Sequence, residues 1–125
     1  MIVGTGIDIA EVGRIRETIE RHGERFLKRI FTEGEIQYCE SKANRVERYA
    51  ARFAAKEAGM KAIGTGWNHG VRWRDLEVAR KPGGRPMLLL HGKAAEFAAK
   101  LGTNNIALSL THTAEQAMAQ VILET

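Results

Sequence analysis

From Ile2 to Ile9 apolar and small positions alternate as in a strand, with Val3, Thr5, Ile7 and Ile9 on one face and Gly4, Gly6 and Asp8 on the other. The period then changes. Between Glu11 and about His22 the residues Val12, Ile15 and Ile19 share a helical stripe that Gly23 stops, and a short helical piece follows from Glu24 to Phe31. Thr32 with Glu35 has the spacing of a capping box opening a helix to about Glu40, and Asn44 with Glu47 repeats that signal for a long helix to Ile63, ended by Gly64 and Gly66. Residues 67–74 read as a loop. Leu76 to Arg80 and Met87 to Leu90 read as strands around the turn Lys81-Pro-Gly-Gly-Arg-Pro86. A helix from Gly92 to Leu101 and an antiparallel pair, Ile106 to Thr111 and Gln116 to Leu123, complete the chain. This order predicts one α+β domain spanning residues 1–125, with an antiparallel sheet packed against the long helix.

Along the long helix, Val46, Tyr49, Phe53 and Met60 form one apolar arc, and Ala51, Ala54, Ala55, Ala58 and Ala62 form a second arc suited to close packing. Glu57 and Lys61 fall in the seam between the arcs and read as the two charges turned inward. Arg45, Arg48, Arg52 and Lys56 gather opposite them, on an expected solvated face.

Glycines within a strand often mark close approach of a ligand or another backbone, and those flanking Asp8 clear space beside its carboxylate. If the alanine arc packs on that face, Asp8 meets Glu57. Two carboxylates with open space between them suit Mg²⁺, which keeps several waters and adds oxygens of a substrate phosphate. Lys61 would supply a point charge for the same phosphates. The plainer alternative is a helical Glu57–Lys61 pair with Asp8 merely ending a strand. The Lys81–Pro86 turn could hold a nucleotide, Arg85 reaching a phosphate, although such turns are usually simple hairpin connections. His112 shares a strand face with Leu110, and a lone histidine there is more often structural than catalytic.

The chain has 19 Lys and Arg against 15 Asp and Glu, a net charge of +4, which favours an acidic partner. Arg14, Arg21, Arg25 and Lys28 recur at helical spacing and form a basic stripe, a docking surface or a solvated face, without interleaved aromatic residues. The single cysteine, Cys39, has no partner for an internal disulfide and reads as a half-buried thiol in a reducing compartment. No signal peptide and no membrane-spanning apolar run is evident, so a cytoplasmic protein is expected.

Gly6-Ile-Asp8-Ile, Arg52-Phe-Ala-Ala-Lys-Glu57-Ala, Lys61-Ala-Ile-Gly-Thr-Gly66, Gly84-Arg-Pro86 and Ser109-Leu-Thr-His112 resemble, in order and over nearly the whole chain, the motifs of the holo-acyl-carrier-protein synthases, the small bacterial type of 4'-phosphopantetheinyl transferase. Thr111 stands where many relatives have serine. The resemblance implies transfer of the 4'-phosphopantetheine arm of coenzyme A to a serine of apo acyl carrier protein, in fatty acid biosynthesis. It implies Asp8 and Glu57 as Mg²⁺ ligands and Lys61 as a contact to the pyrophosphate. Gly84, Arg85 and Pro86 would lie near the adenine nucleotide, and His112 would line the coenzyme site. It also implies a homotrimer with shared sites, the alanine arc serving that packing, and docking of the carrier by Arg14, Arg21 and Arg25. Related transferases serving polyketide or peptide synthase carriers, and a basic nucleic-acid-binding module, are the alternative readings.

Overall fold

A computed structural model describes residues 1–125. The order is β1 (Ile2–Glu11), α1 (Val12–His22), α2 (Glu24–Ile30), α3 (Glu33–Glu40), α4 (Arg45–Ile63), a 3-10 turn (Trp73–Asp75), β2 (Leu76–Arg80), β3 (Pro86–Leu90), α5 (Gly92–Lys100), β4 (Asn105–His112) and β5 (Gln116–Glu124). The strands form two antiparallel sheets. One has the order β1-β5-β4, and the other is the β2-β3 hairpin.

The larger sheet lies on α4. Ala117, Ala119, Val121 and Leu123 of β5 are buried against it, and in register beside them come Gly4, Gly6, Asp8 and Ala10 of β1. The glycine face of β1 does meet the alanine arc. A methyl group at Gly6 would collide with the carbonyl of Ala58, and one at Gly4 with the carbonyl of Ala62. Only residues without a Cβ let strand and helix approach so closely.

The charge pattern of α4 differs from expectation. Lys56 and Arg52 are buried, Glu57 is half-buried, and Lys61 is exposed. The reason is that α4 is enclosed on two sides. Opposite the large sheet, α3, the 3-10 turn and β2 cover the sector that periodicity assigns to solvent. Lys56 Nζ lies 2.8 Å from Glu35 Oε1 and donates to the carbonyls of Trp73 and Leu76. Glu35 also accepts from the backbone N–H groups of Thr32 and Val78. A buried ion pair is tolerated when its remaining polar atoms are satisfied in this way.

The Thr32–Glu35 capping box forms as read from the sequence. Its counterpart at Asn44 does not, because Asn44 Oδ1 accepts from Arg48 Nε and Glu47 turns to His112. Gly64 ends α4 in the left-handed region, at φ 81°. Cys39 is fully rather than half buried, and burial pushes its thiol up to about 12, so it stays protonated. No helix is long and apolar enough to cross a membrane.

Replacing Gly6 by Ala forces β1 away from α4 and is expected to cost roughly 1–3 kcal/mol. Gly13→Ala, where an added methyl meets nothing within 4 Å, leaves stability unchanged or raises it. Urea denaturation of the two variants side by side measures the difference.

Candidate active site

Asp8 and Glu57 line one cleft of about 350 Å³ between β1, α1 and α4, together with Arg14, Ile15, Phe26 and Phe53. The register of β1 turns Asp8 toward α4, in the same row as Gly4 and Gly6. Glu57 follows one helical position after the buried Lys56, so the anchored lysine fixes the rotation that points Glu57 into the opening. Lys61 reaches across from the next turn. Its Nζ lies 3.2 Å from Asp8 Oδ2 and donates to the carbonyl of Ile7 at 3.1 Å, while Asp8 Oδ1 accepts from the N–H of Ile9. Glu57 makes no such bond. Burial raises its carboxyl above the ordinary glutamate range, the nearby Asp8 charge raises it further, and Lys61 opposes both.

No cluster of three His, Cys, Asp or Glu side chains is present to hold a metal by protein groups alone. Two carboxylates facing one opening, with a lysine beside them, instead fit a small hard cation that takes its other oxygens from water and substrate.

The remaining candidates do not converge on this cleft within the chain. His112 Nδ1 lies 3.0 Å from Glu47 Oε1, near the start of α4. In the next position Arg48 reaches the hydroxyl of Tyr38, which accepts from Arg80 Nη1 at 2.9 Å, and Arg80 Nη2 donates to the carbonyl of Gly84 at 3.1 Å. The Tyr38 ring also lies 4.3 Å from the guanidinium carbon of Arg52, whose Nε is buried without a partner. Gly84 and His112 are therefore linked through the first turns of α4, with Arg85 exposed in the turn and Pro86 opening β3. Glu47 and Glu57 are roughly 15 Å apart along the helix axis.

Several side chains at these two places escape sequence reading. In the sequence Arg48 and Arg52 read as solvated-face residues and Arg80 as a strand end, and Tyr38 falls inside the helix to Glu40 with no role of its own. Their grouping depends on α3 and the hairpin folding over α4, which no local period reveals. Aromatic residues also enter the basic region, contrary to the sequence reading. Phe26 lines a cleft with His22, Arg25 and Arg29, and packs near Phe53 (6.4 Å), which stacks on Trp73 (5.0 Å). Phe26 itself sits between Arg25 and Arg29 in sequence, a signal that was available. Arg14 and Arg25 open onto adjacent clefts, and Arg21 is exposed on the same helical stripe.

In the metal-free protein Glu57 is expected to take up its proton at a higher pH than a free glutamate. Asp8→Asn should lower that midpoint and Lys61→Met should raise it, as followed by carboxyl-carbon NMR titration. Unchanged midpoints would mean that the three groups do not share a field.

A family model for the 4'-phosphopantetheinyl transferase superfamily matches residues 4–121. The holo-[acyl-carrier-protein] synthase of Solibacter usitatus is 70% identical over 124 residues, 99% of each chain, and that of Koribacter versatilis is 63% identical over the same share. Among solved structures, the holo-[acyl-carrier-protein] synthase of Neisseria meningitidis superposes with a TM-score of 0.88 at 32% identity, covering 100% of both chains. The Bacillus anthracis synthase, solved in complex with CoA (3',5'-ADP), gives 0.81 at 38% identity over 100% of this chain and 98% of that one. Such matches run the length of the Asp8 strand, the Glu57 helix and both sheets, and the chain belongs to the 4'-phosphopantetheinyl transferase superfamily.

Proposed function

We propose that this chain is a holo-acyl-carrier-protein synthase, transferring the 4'-phosphopantetheine arm of coenzyme A to a serine of apo acyl carrier protein in the cytoplasm, in support of fatty acid biosynthesis. The observation that carries this reading is the meeting of Asp8, Glu57 and Lys61 at one cleft, beside a helix pair whose arginines have no partner on the chain. The family membership and the coenzyme-bound relatives support the same chemistry.

In the reaction the serine oxygen attacks the β-phosphorus of coenzyme A, the bond to the bridging pyrophosphate oxygen breaks, and adenosine 3',5'-bisphosphate leaves with that electron pair. Asp8 and Glu57 would hold Mg²⁺, which would neutralise charge on the phosphoryl oxygens. Glu57 is the carboxylate assigned to receive the serine proton, directly or through a water, because it makes no hydrogen bond of its own while Asp8 is engaged by the Lys61 ammonium and the Ile9 N–H. Lys61 stabilises the charge that develops on the leaving group. Its side chain is 57% exposed, on a flexible stem that can follow the phosphate.

The nucleotide would rest on the second group, Gly84, Arg85, Pro86 and His112, with Arg48, Arg52 and Arg80 behind them. The pyrophosphate is joined directly to the ribose of the adenine nucleotide, so a separation of roughly 15 Å along α4 favours a site completed by a neighbouring subunit. The outer face of the large sheet supports that association, for Ile7 (54% exposed), Ile9 (48%) and Met118 (38%) lie together on it. The alanine arc, expected to serve the trimer, is instead buried inside the monomer against β1. A homotrimer formed through the sheet face is the assembly proposed.

Incubation with coenzyme A, Mg²⁺ and apo acyl carrier protein should add one phosphopantetheine arm to the carrier, read by intact mass. Asp8→Ala and Glu57→Ala should each lower the transfer rate by a factor of 100 or more, roughly the scale of losing one charge-stabilising group, while circular dichroism stays native. Near-normal turnover in either variant would remove it from the site.

Mixing subunits tests the shared site separately. Glu57→Ala and His112→Ala proteins, each weakly active alone, should recover transfer when unfolded and refolded together. No recovery from mixed oligomers of confirmed composition would mean that each chain builds its own complete site.

A further inference from the structure

Arg29 and Arg74 take part in no ion pair and no side-chain hydrogen bond, although both border clefts. One cleft of about 310 Å³ is lined by Arg29, Thr32, Arg72, Arg74, Asp75 and His91, with no apolar residue among them. Its one lining carboxylate, Asp75, has a nearly buried side chain and accepts from the N–H and the guanidinium of Arg72, and Glu77 behind it is held by His91 and Thr32, which leaves Arg29 and Arg74 as the unpaired charges. The cleft is therefore cationic and open to an acidic group from outside. Its size suits a side chain rather than a fold.

Two features separate this place from an ordinary charged surface. It is continuous with the α1–α2 surface, because Arg29 also lines the cleft of His22, Arg25 and Phe26 and a third cleft under Trp67 and Trp73. It is also rigid. The residue before Arg74, Trp73, stacks on Phe53 and receives the buried Lys56 ammonium on its carbonyl, and the residue after it, Asp75, is locked to Arg72. An arginine whose backbone is fixed on both sides loses less freedom when it binds.

The geometry points to Arg74, with Arg29 and Arg72 beside it, as a second docking element. It receives an acidic side chain of the carrier protein and extends the carrier surface from α1–α2 onto the turn before β2. The assignment rests on the transferase reading above and adds a determinant of carrier preference that lies outside the basic helices. An acidic protein is favoured over a nucleic acid because the neighbouring rings of Phe26, Phe53 and Trp73 pack on one another instead of standing free for bases. A planar guanidinium fork matches a carboxylate.

The test is Arg74→Glu, with Arg29→Glu as a second variant and Arg74→Lys as the conservative one, all in the full chain. Apo acyl carrier protein is titrated at saturating coenzyme A, and its binding is followed separately by fluorescence anisotropy. Arg74→Glu should raise the carrier KM and weaken carrier binding by about tenfold, leaving kcat and the coenzyme A KM within about twofold. It should also flatten the salt dependence of the carrier KM, and Arg74→Lys, which keeps the charge but not the fork, should fall between Arg74→Glu and the unaltered protein. An unchanged carrier KM and unchanged anisotropy in both glutamate variants would overturn the docking element while the transferase reading stands. Failure of the unaltered protein to transfer the arm or to bind any apo carrier would overturn both. Unimpaired carrier binding with weakened binding of a short RNA duplex would reassign the surface to nucleic acid.

Discussion

The contact on which the rest of the structure depends is the approach of the bare face of β1 to the carbonyl-lined surface of α4. Gly4 and Gly6 bring strand backbone against the carbonyls of Ala62 and Ala58, at a distance that any Cβ would prevent. Little apolar area is buried at that point itself. Burial comes from the next strand, where Ala117, Ala119, Val121 and Leu123 press on the same helix. What the glycines contribute is position. They place Asp8 near Glu57 and let Lys61 span to the Ile7 carbonyl, so one backbone approach sets the geometry of all three charges.

The opposite side of α4 is held by a polar interaction. Lys56 and Glu35 join the helix to α3, the 3-10 turn and β2, with the ammonium shared among Glu35 and two carbonyls and the carboxylate among Lys56 and two backbone N–H groups. Burial pulls the lysine below its ordinary range and Glu35 opposes that shift. Such a node adds less net stability than its short distance suggests, but it is directional in a way that an apolar contact is not. Enclosed on both sides, α4 keeps only a narrow open sector, and Glu57 stands in it.

The order and kind of the elements were legible because they are written in local period and punctuation. The alternation through Val3 and Ile9, the Thr32–Glu35 box and the glycines after Ile63 depend on neighbours in sequence. The Asp8–Glu57 meeting was legible too, since complementary small faces on a strand and a helix have few other partners. The sides of α4 were not. Periodicity reports that Arg52 and Lys56 share a face, but whether that face is solvated depends on α3 and β2 returning over it, and on one glutamate, Glu35, being free to pair. The same limit hid the group around Tyr38, whose members come from α3, α4 and β2. The family resemblance supplied roles for Gly84 and His112, and the fold then added the arginines that connect them.

The strand carrying Asp8 also carries Ile7 and Ile9, which point to the other side of the sheet. On the proposed assembly, a neighbouring subunit would cover those two side chains while its own groups complete the site on the opposite face. Burying them would tighten β1, an edge strand that pairs only with β5 and is held to α4 through glycines. An edge strand with little side-chain packing behind it would be a poor platform for the metal-holding carboxylate that the proposed function assigns to Asp8. Association would supply the missing support at the position where the carboxylate needs it. The apolar residues flanking Asp8 would then serve the chemistry as directly as the small residues beside it.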